Sequence, residues 1–313
     1  MLMTKVISIL LFALVMALTA GPVTAQSRAL ADLRHGDQRL VLGVPGYDVG
    51  AFIDDVVERN EYSVHAMDVY SVGQNPFFNF ILGPRDRSWW MAYQIDGDRY
   101  SGFIKDQAAK GWCVVSSEMF QSNGQRRFAA LLGKQGCVDQ LRFVYVKTSE
   151  RNGYFLRDYD RNDRWEARSP LSNLEANGPV GLPQGYTMTS MRVHPGGLTE
   201  NTMVVYERRP GANVRYLHAR NFGEFINLAE RWGAEGYWIA DLDVATADSL
   251  AGLVDTYSAV FAPVSGQTGP VQSLPAEEMR AHLAAIPDQR IMNISAFETR
   301  DGEPRFWIQT EPR

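Results

Sequence analysis

Carboxylate and amide side chains fall at close spacing in two stretches, and these are the first places to look for chemistry. Asp158, Asp160 and Asn162 alternate at the start of Asp158-Tyr159-Asp160-Arg161-Asn162-Asp163-Arg164-Trp165-Glu166, which is the opening pattern of a calcium loop. The pattern then fails: Asp163 stands where a sharply turning glycine is needed, and Ser169 where a bidentate glutamate should close the shell. Arg161 and Arg164 also compete for the carboxylates, so the stretch reads as a solvated, salt-bridged turn and only a weak metal candidate. Asp241 and Asp243 share one face of an expected strand, near Asp248 and Asp255. They could hold a cation or form a general acid and base pair. The plainer reading is a polar outer face that keeps a sheet soluble.

Nucleophilic chemistry finds less support. No Ser-x-x-Lys follows residue 25, and there is no Gly-x-Ser-x-Gly elbow. His35, His65, His194, His218 and His282 lie tens of residues apart, with no spacing suited to zinc. His65 and His218 fall in expected strands and read as structural. A triad assembled from distant segments stays open, because triad partners are usually remote in sequence. No motif requires a cofactor. The expectation is therefore a protein that binds rather than catalyses.

Adjacent aromatics suggest how it could bind. Trp89-Trp90 and Tyr237-Trp238 sit on expected strands, where neighbouring side chains point to opposite faces. One ring of each pair would then face outward, and Trp89, Trp90, Tyr237 and Trp238 become candidates for a sugar- or peptide-binding platform. The alternative is that both faces of each sheet are covered.

Export is expected from the first residues. Lys5 precedes an apolar run from Val6 to Ala20, and Val23 and Ala25 satisfy the small-residue rule for cleavage before Gln26. The run is shorter than the ~20 residues a membrane span needs. Removal of Lys5 leaves 30 of the 31 basic residues against 36 acidic ones, which moves the net charge from −5 to −6. That balance repels nucleic acid and anionic lipid, and no later stretch is apolar enough for stable membrane insertion. In an oxidising periplasmic or extracellular compartment, Cys113 and Cys137 at the two ends of an expected hairpin are placed to form a disulfide. Closing such a loop would contribute ~3 kcal/mol in the chain-entropy account.

The elements that would position these residues recur. A hinge dipeptide appears as Glu61-Tyr62, Gly111-Trp112, Gly185-Tyr186, Gly236-Tyr237 and Gln289-Arg290, roughly every fifty residues with one longer interval. In the clearest instance Trp89 to Ile95 reads as a strand and Asp98 to Lys110 as an amphipathic helix ended by Gly111. Cys113 to Met119 and Arg127 to Leu132 then read as a hairpin about Gln121-Ser122-Asn123-Gly124. The expected fold class is α+β: tandem repeats of strand, helix and β-hairpin, each antiparallel sheet covered by one helix, stacked or closed into a ring. The boundaries are a signal peptide at 1–25, an N-terminal extension at 26–46 and a repeat array at 47–310. Its units are 47–83, 84–134, 160–209, 212–263 and 274–310, with an insertion at 135–159.

Trp90-Met91-Ala92-Tyr93, the helix Tyr100 to Lys110, the hinge Gly111-Trp112 and Phe128-Ala129-Ala130-Leu131-Leu132 together resemble a bacterial tandem-repeat domain of ~50 residues. That domain forms the N-terminal region of polyglycine hydrolases, beside a serine-hydrolase domain that has no counterpart here. The resemblance implies the array without the catalytic partner. Glu61 and Gln289 depart from it, standing where glycine is expected. The functional expectation is an exported, non-catalytic scaffold that binds an extracellular or envelope partner, either protein or cell wall. Alternatives are a hydrolase whose site is assembled between units and a structural subunit of an envelope assembly.

Overall fold

The computed structural model describes residues 29–73, 75–135, 140–147, 154–158, 164–167, 185–196, 199–249, 252–263, 273–299 and 301–313. The expected signal segment lies outside them. Five antiparallel sheets make up the described chain. The first holds β1 (Ala31–His35), β2 (Gln38–Pro45), β3 (Tyr62–Val72) and β4 (Asn75–Pro84) in the order β1-β2-β4-β3. The second holds β5 (Trp89–Asp96), β6 (Cys113–Ser122) and β7 (Gln125–Gly133) in the order β5-β7-β6. The third is β8 (Gln140–Lys147), β9 (Tyr154–Asp158), β10 (Arg164–Ala167), β11 (Tyr186–Gly196) and β12 (Thr199–Arg208), ordered β10-β9-β8-β12-β11. The fourth is β13 (Arg215–Arg220), β14 (Tyr237–Ser249) and β15 (Gly252–Pro263), ordered β13-β15-β14. The fifth is the hairpin of β16 (Gln289–Glu298) and β17 (Pro304–Pro312).

This is a β-rich fold, and it corrects the expected α+β array of helix-covered repeats. The sheets have unequal strand numbers, and neighbouring sheets share apolar clusters with one another as well as with helices. Phe78, Phe80 and Leu82 of the first sheet share one buried cluster with Met91, Phe120, Ala129 and Leu131 of the second. Leu33, Leu40 and Ile81 share another with Ile291, Ile294 and Phe306 of the fifth. Helices are secondary: α1 (Val49–Phe52) runs into a π-helical turn over Ile53–Glu58, followed by α2 (Gly97–Ala109), α3 (Phe222–Ala234) and α4 (Ala276–Ala285). Sequence periodicity identifies an amphipathic helix but not what share of the sheet surface it covers. Strands buried on both faces, such as β4 over Phe78–Leu82, need cover on each side.

Local rules explain the hairpins well. Asn123 and Gly124 both adopt positive φ, 52° and 72°, as the tight turn between β6 and β7 requires. Asn221 caps α3 by accepting a hydrogen bond from Glu224 N at 3.0 Å. Residues 26–46, set apart in sequence as an extension, supply β1 and β2. The 135–159 insertion supplies β8 and β9, and β8 takes the place beside β12. β10 pairs with β9 at the outer edge.

One strand from each sheet faces the centre. β3, β6, β11, β14 and β16 touch one another in turn, and β16 returns to β3, which closes the five sheets into a ring. Closure joins the two ends of the described chain: the Gln38 side chain donates to Ile291 O at 2.8 Å and accepts from Ile291 N at 2.7 Å.

Candidate functional site at the ring axis

Every inner strand carries a register shift early in its course: between Val64 and Ala66, Val114 and Ser116, Met188 and Ser190, Ile239 and Asp241, and Ile291 and Asn293. A β-bulge re-aims the residues that follow it. Two residues past the point where each ladder resumes stand Asp68, Glu118, Arg192, Asp243 and Ser295. Asp68, Glu118, Arg192 and Ser295 are buried, together with Asp241. Five strands thus bring four carboxylates, one guanidinium and one hydroxyl to the axis.

Arg192 ties three sheets together. Its Nε donates to Glu118 Oε2 at 2.8 Å, and its Nη1 to Asp241 Oδ2 at 2.6 Å. Asp241 Oδ2 also accepts from Met191 N at 3.0 Å, while Asn293 Nδ2 donates to Asp241 Oδ1 at 3.3 Å. Asp68 Oδ2 accepts from Asn79 Nδ2 at 2.8 Å and from Ala296 N at 3.0 Å. Asn79 is itself fixed, its Oδ1 accepting from Gly43 N at 2.9 Å. Buried charges persist only when paired and hydrogen-bonded in this way.

The balance of charge decides where a proton is kept. Burial is the main force on Glu118 and pushes its carboxyl up to about 8, although Arg192 pulls it down. Burial likewise raises Asp68, to about 6, against the pull of Arg192. Burial works against the Arg192 cation, but Asp241 and then Glu118 more than offset it, so its pKa stands well above the usual value. Glu118 Oε2 accepts from Arg192 in either state, so the retained proton belongs on Oε1. Glu118 Oε1 is buried and has no hydrogen-bond partner, and the same is true of Tyr70 Oη and Ser295 Oγ.

Above this floor lies a cavity of about 200 Å³, at the end where the inner strands finish. Glu118, Arg192, Asp243, Tyr70 and Glu298 line it together with Val69, Met119, Val244 and Phe297. A larger cavity of about 580 Å³ lies between β1 and α4, but the charged residues around it, Asp32, Glu277, Arg280 and Glu303, are all exposed.

The residues singled out in sequence have separate fates. Asp241 is buried and fully engaged, which corrects its reading as part of a solvent-facing polar surface. Asp243 lies on the cavity wall. Asp158 ends β9, while Asp160 and Asn162 lie outside the described residues. Among the described residues no cluster of three or more His, Cys, Asp or Glu side chains is arranged to hold a metal ion. Cys113 is disulfide-bonded, and Cys137, the chain's one other cysteine, lies outside the described residues. His35 Nε2 meets the Gln289 carbonyl at 2.7 Å, while His65 Nε2, which makes no hydrogen bond, lies 3.4 Å from Asp86 Oδ1.

The four aromatics do not make one platform. Trp89 packs against the core of the first two sheets, while Trp90 is 40% exposed and meets Phe103 and Trp112 at tilted ring angles. Tyr237 is buried on the fourth sheet, its hydroxyl bonded to Asn213 and its ring 4.0 Å from the Arg215 guanidinium. Trp238 is half-buried. The two pairs sit on sheets that are not neighbours in the ring.

Asp68, Glu118 and Arg192 escaped the sequence reading, because each is a lone charge in an apolar strand. A signal was available: Asp68, Glu118, Arg192 and Asp243 each stand six residues beyond a hinge aromatic, Tyr62, Trp112, Tyr186 and Tyr237. No protein-family model and no curated protein matches the chain.

Proposed function

We propose that the mature chain is an exported, non-catalytic binding protein that engages an extracellular or envelope component, protein or cell wall, at the mouth of the axial cavity. The observation that carries this reading is the rigid floor of the cavity. Arg192, which lines the cavity, is held by Glu118 and Asp241 from two other strands, and Asp241 is held in turn by Met191 N and Asn293, so a ligand meets a site already organised for it. The apolar wall above supplies area to bury, and the leader-like start and acidic balance of the chain fit an extracytoplasmic setting.

The test is quantitative binding of the purified mature chain to isolated cell-wall material and, separately, to solubilised envelope protein. Saturable binding to one of them is expected. Ser71→Trp, which narrows the mouth at a half-buried lining residue, should weaken it roughly tenfold. Absence of binding to both fractions, or binding indifferent to Ser71→Trp, would overturn the proposal.

One observation favours a second reading, a hydrolase with a site assembled between sheets. A buried carboxyl that holds its proton near neutral pH in a cavity is a plausible general acid. Turnover of a cell-wall or peptide substrate that disappears in Glu118→Gln would decide for it.

A further inference from the structure

The outer edge of the first sheet is an unfinished ladder. In the order β1-β2-β4-β3, β1 lies on the side away from the axis, and among the described residues no strand pairs with its other edge. His35 and Gln38 close a two-residue turn at Gly36-Asp37, which makes His35/Gln38, Leu33/Leu40 and Ala31/Leu42 the hydrogen-bonded pairs of the hairpin. The alternate residues, Asp32 and Arg34, therefore turn their N–H and C=O groups outward. Both side chains are exposed, and they share one face of the strand. Two other outer strands are closed to such pairing. β5 is kinked at Gln94, whose φ is 59°, and in β17 Leu274 bonds both backbone groups of Phe306 at 2.8 Å.

Charge on an edge strand ordinarily keeps copies apart. It does not do so here, because the two charges are opposite in sign and stand two residues apart. A second β1 laid antiparallel and centred on Leu33 sets Asp32 against Arg34 of the other copy, and Arg34 against its Asp32. These are the outward-facing residues, so each such pair also exchanges two backbone hydrogen bonds. Within the hairpin Arg34 stands opposite Arg39, which is committed to Asp32, so an acid from a second copy offsets a like-charge contact. Leu30, 52% exposed, extends the same edge, and the cavity of about 580 Å³ between β1 and α4 leaves space beside it.

We propose that the mature chain forms a symmetric dimer through β1, which joins two four-stranded first sheets into one continuous antiparallel sheet. The contact is isologous, with the two-fold axis passing between the two Leu33 residues. The inner strand β3 lies at the opposite side of the sheet, so pairing leaves both axial cavities open and does not depend on what they bind. Two short edges bury less than the ~1,200 Å² of a standard interface, which places the dissociation constant on the order of 10–100 μM.

Sedimentation velocity of the full mature chain, from about 1 to about 500 μM at constant ionic strength, should show a reversible monomer–dimer equilibrium. Arg34→Asp sets acids against acids across the two-fold axis and Asp32→Arg sets bases against bases, so each should weaken self-association roughly tenfold or more. An equimolar mixture of the two variants should regain it, because each edge then carries the charges that the other lacks. Arg34→Pro removes an N–H that faces away from the hairpin, a place where an edge strand tolerates proline, and should abolish the dimer while the monomer keeps its circular dichroism spectrum. That variant decides the matter should Asp32→Arg, which loses the Arg39 pair, fail to fold. A chain that stays monomeric at the highest concentration, a dimer that survives both Arg34→Asp and Arg34→Pro, or two folded single variants whose mixture stays monomeric would overturn the proposal.

Discussion

Glu118 is where burial and ion pairing compete most directly. Its carboxyl has an ordinary value of 4.5 and is raised to about 8 in the fold, with burial as the main cause. A raised value means that the folded state binds the proton more tightly than the unfolded chain. The stabilisation it brings is therefore complete below about 4.5 and is lost as pH climbs through about 8. Asp68 has the same sign but is spent by about 6, and His65 and His282, both lowered by burial, act below their ordinary 6.5. Between pH 7 and pH 8 Glu118 acts nearly alone, and wild-type stability should fall by roughly 1 kcal/mol. Denaturant titrations across that interval should show the fall greatly reduced in Glu118→Gln. An equal slope in both proteins would mean that the retained proton sits elsewhere. These residues were legible in sequence only as isolated charges, because Glu118 and Arg192 meet across 74 positions of chain and no local spacing encodes their contact.

At the scale of the element, the hinge before an inner strand is set by backbone conformation. Gly111 and Gly236 have φ of +79° and +86°, and an added Cβ at either would meet no atom within 4 Å. Any cost of a side chain there is therefore conformational, not steric crowding by neighbours. Gly111→Val and Gly236→Val should each destabilise the protein by about 1–2 kcal/mol, read as a lowered melting temperature. Unchanged melting in both would refute the hinge. Glu61 adopts the same left-handed region at φ 58° without being glycine, so the geometry is demanded by the strand entry even where the residue resists it. The helix and hairpin from Gly97 to Gly133 were readable because their signals lie within a few residues: an amphipathic stripe, a terminating glycine, an Asn-Gly turn. Strand order in the third sheet was not readable for the opposite reason: the place beside β12 belongs to β8 while β10 lies at the outer edge, and local propensity carries no information about that competition.

For the whole molecule, the ring depends on a junction between the beginning and the end of the described chain. Gln38 clamps both backbone groups of Ile291, and His35 meets the Gln289 carbonyl that precedes it. Gln38→Ala would leave a buried amide and carbonyl unpaired, at a cost of ~1–3 kcal/mol. Amide hydrogen exchange should show the loss of protection concentrated in β1, β2, β16 and β17, where the first and fifth sheets meet. Loss spread evenly over all five sheets would mean that the junction has no individual role.

By itself the sequence determined the local grammar of this protein: where the hairpin of β6 and β7 turns, where α2 runs and ends, and where the hinge glycines fall. Those properties are set by φ preference, capping and short-range periodicity, which act over a few residues. Tertiary structure alone decided that sheets cover sheets, that residues 26–46 and 135–159 complete two of them, and that Asp68, Glu118, Arg192 and Asp241 converge. The reason is physical: whether a charge is solvated or buried depends on surfaces contributed by distant segments, and only closure of the ring removes these four side chains from water.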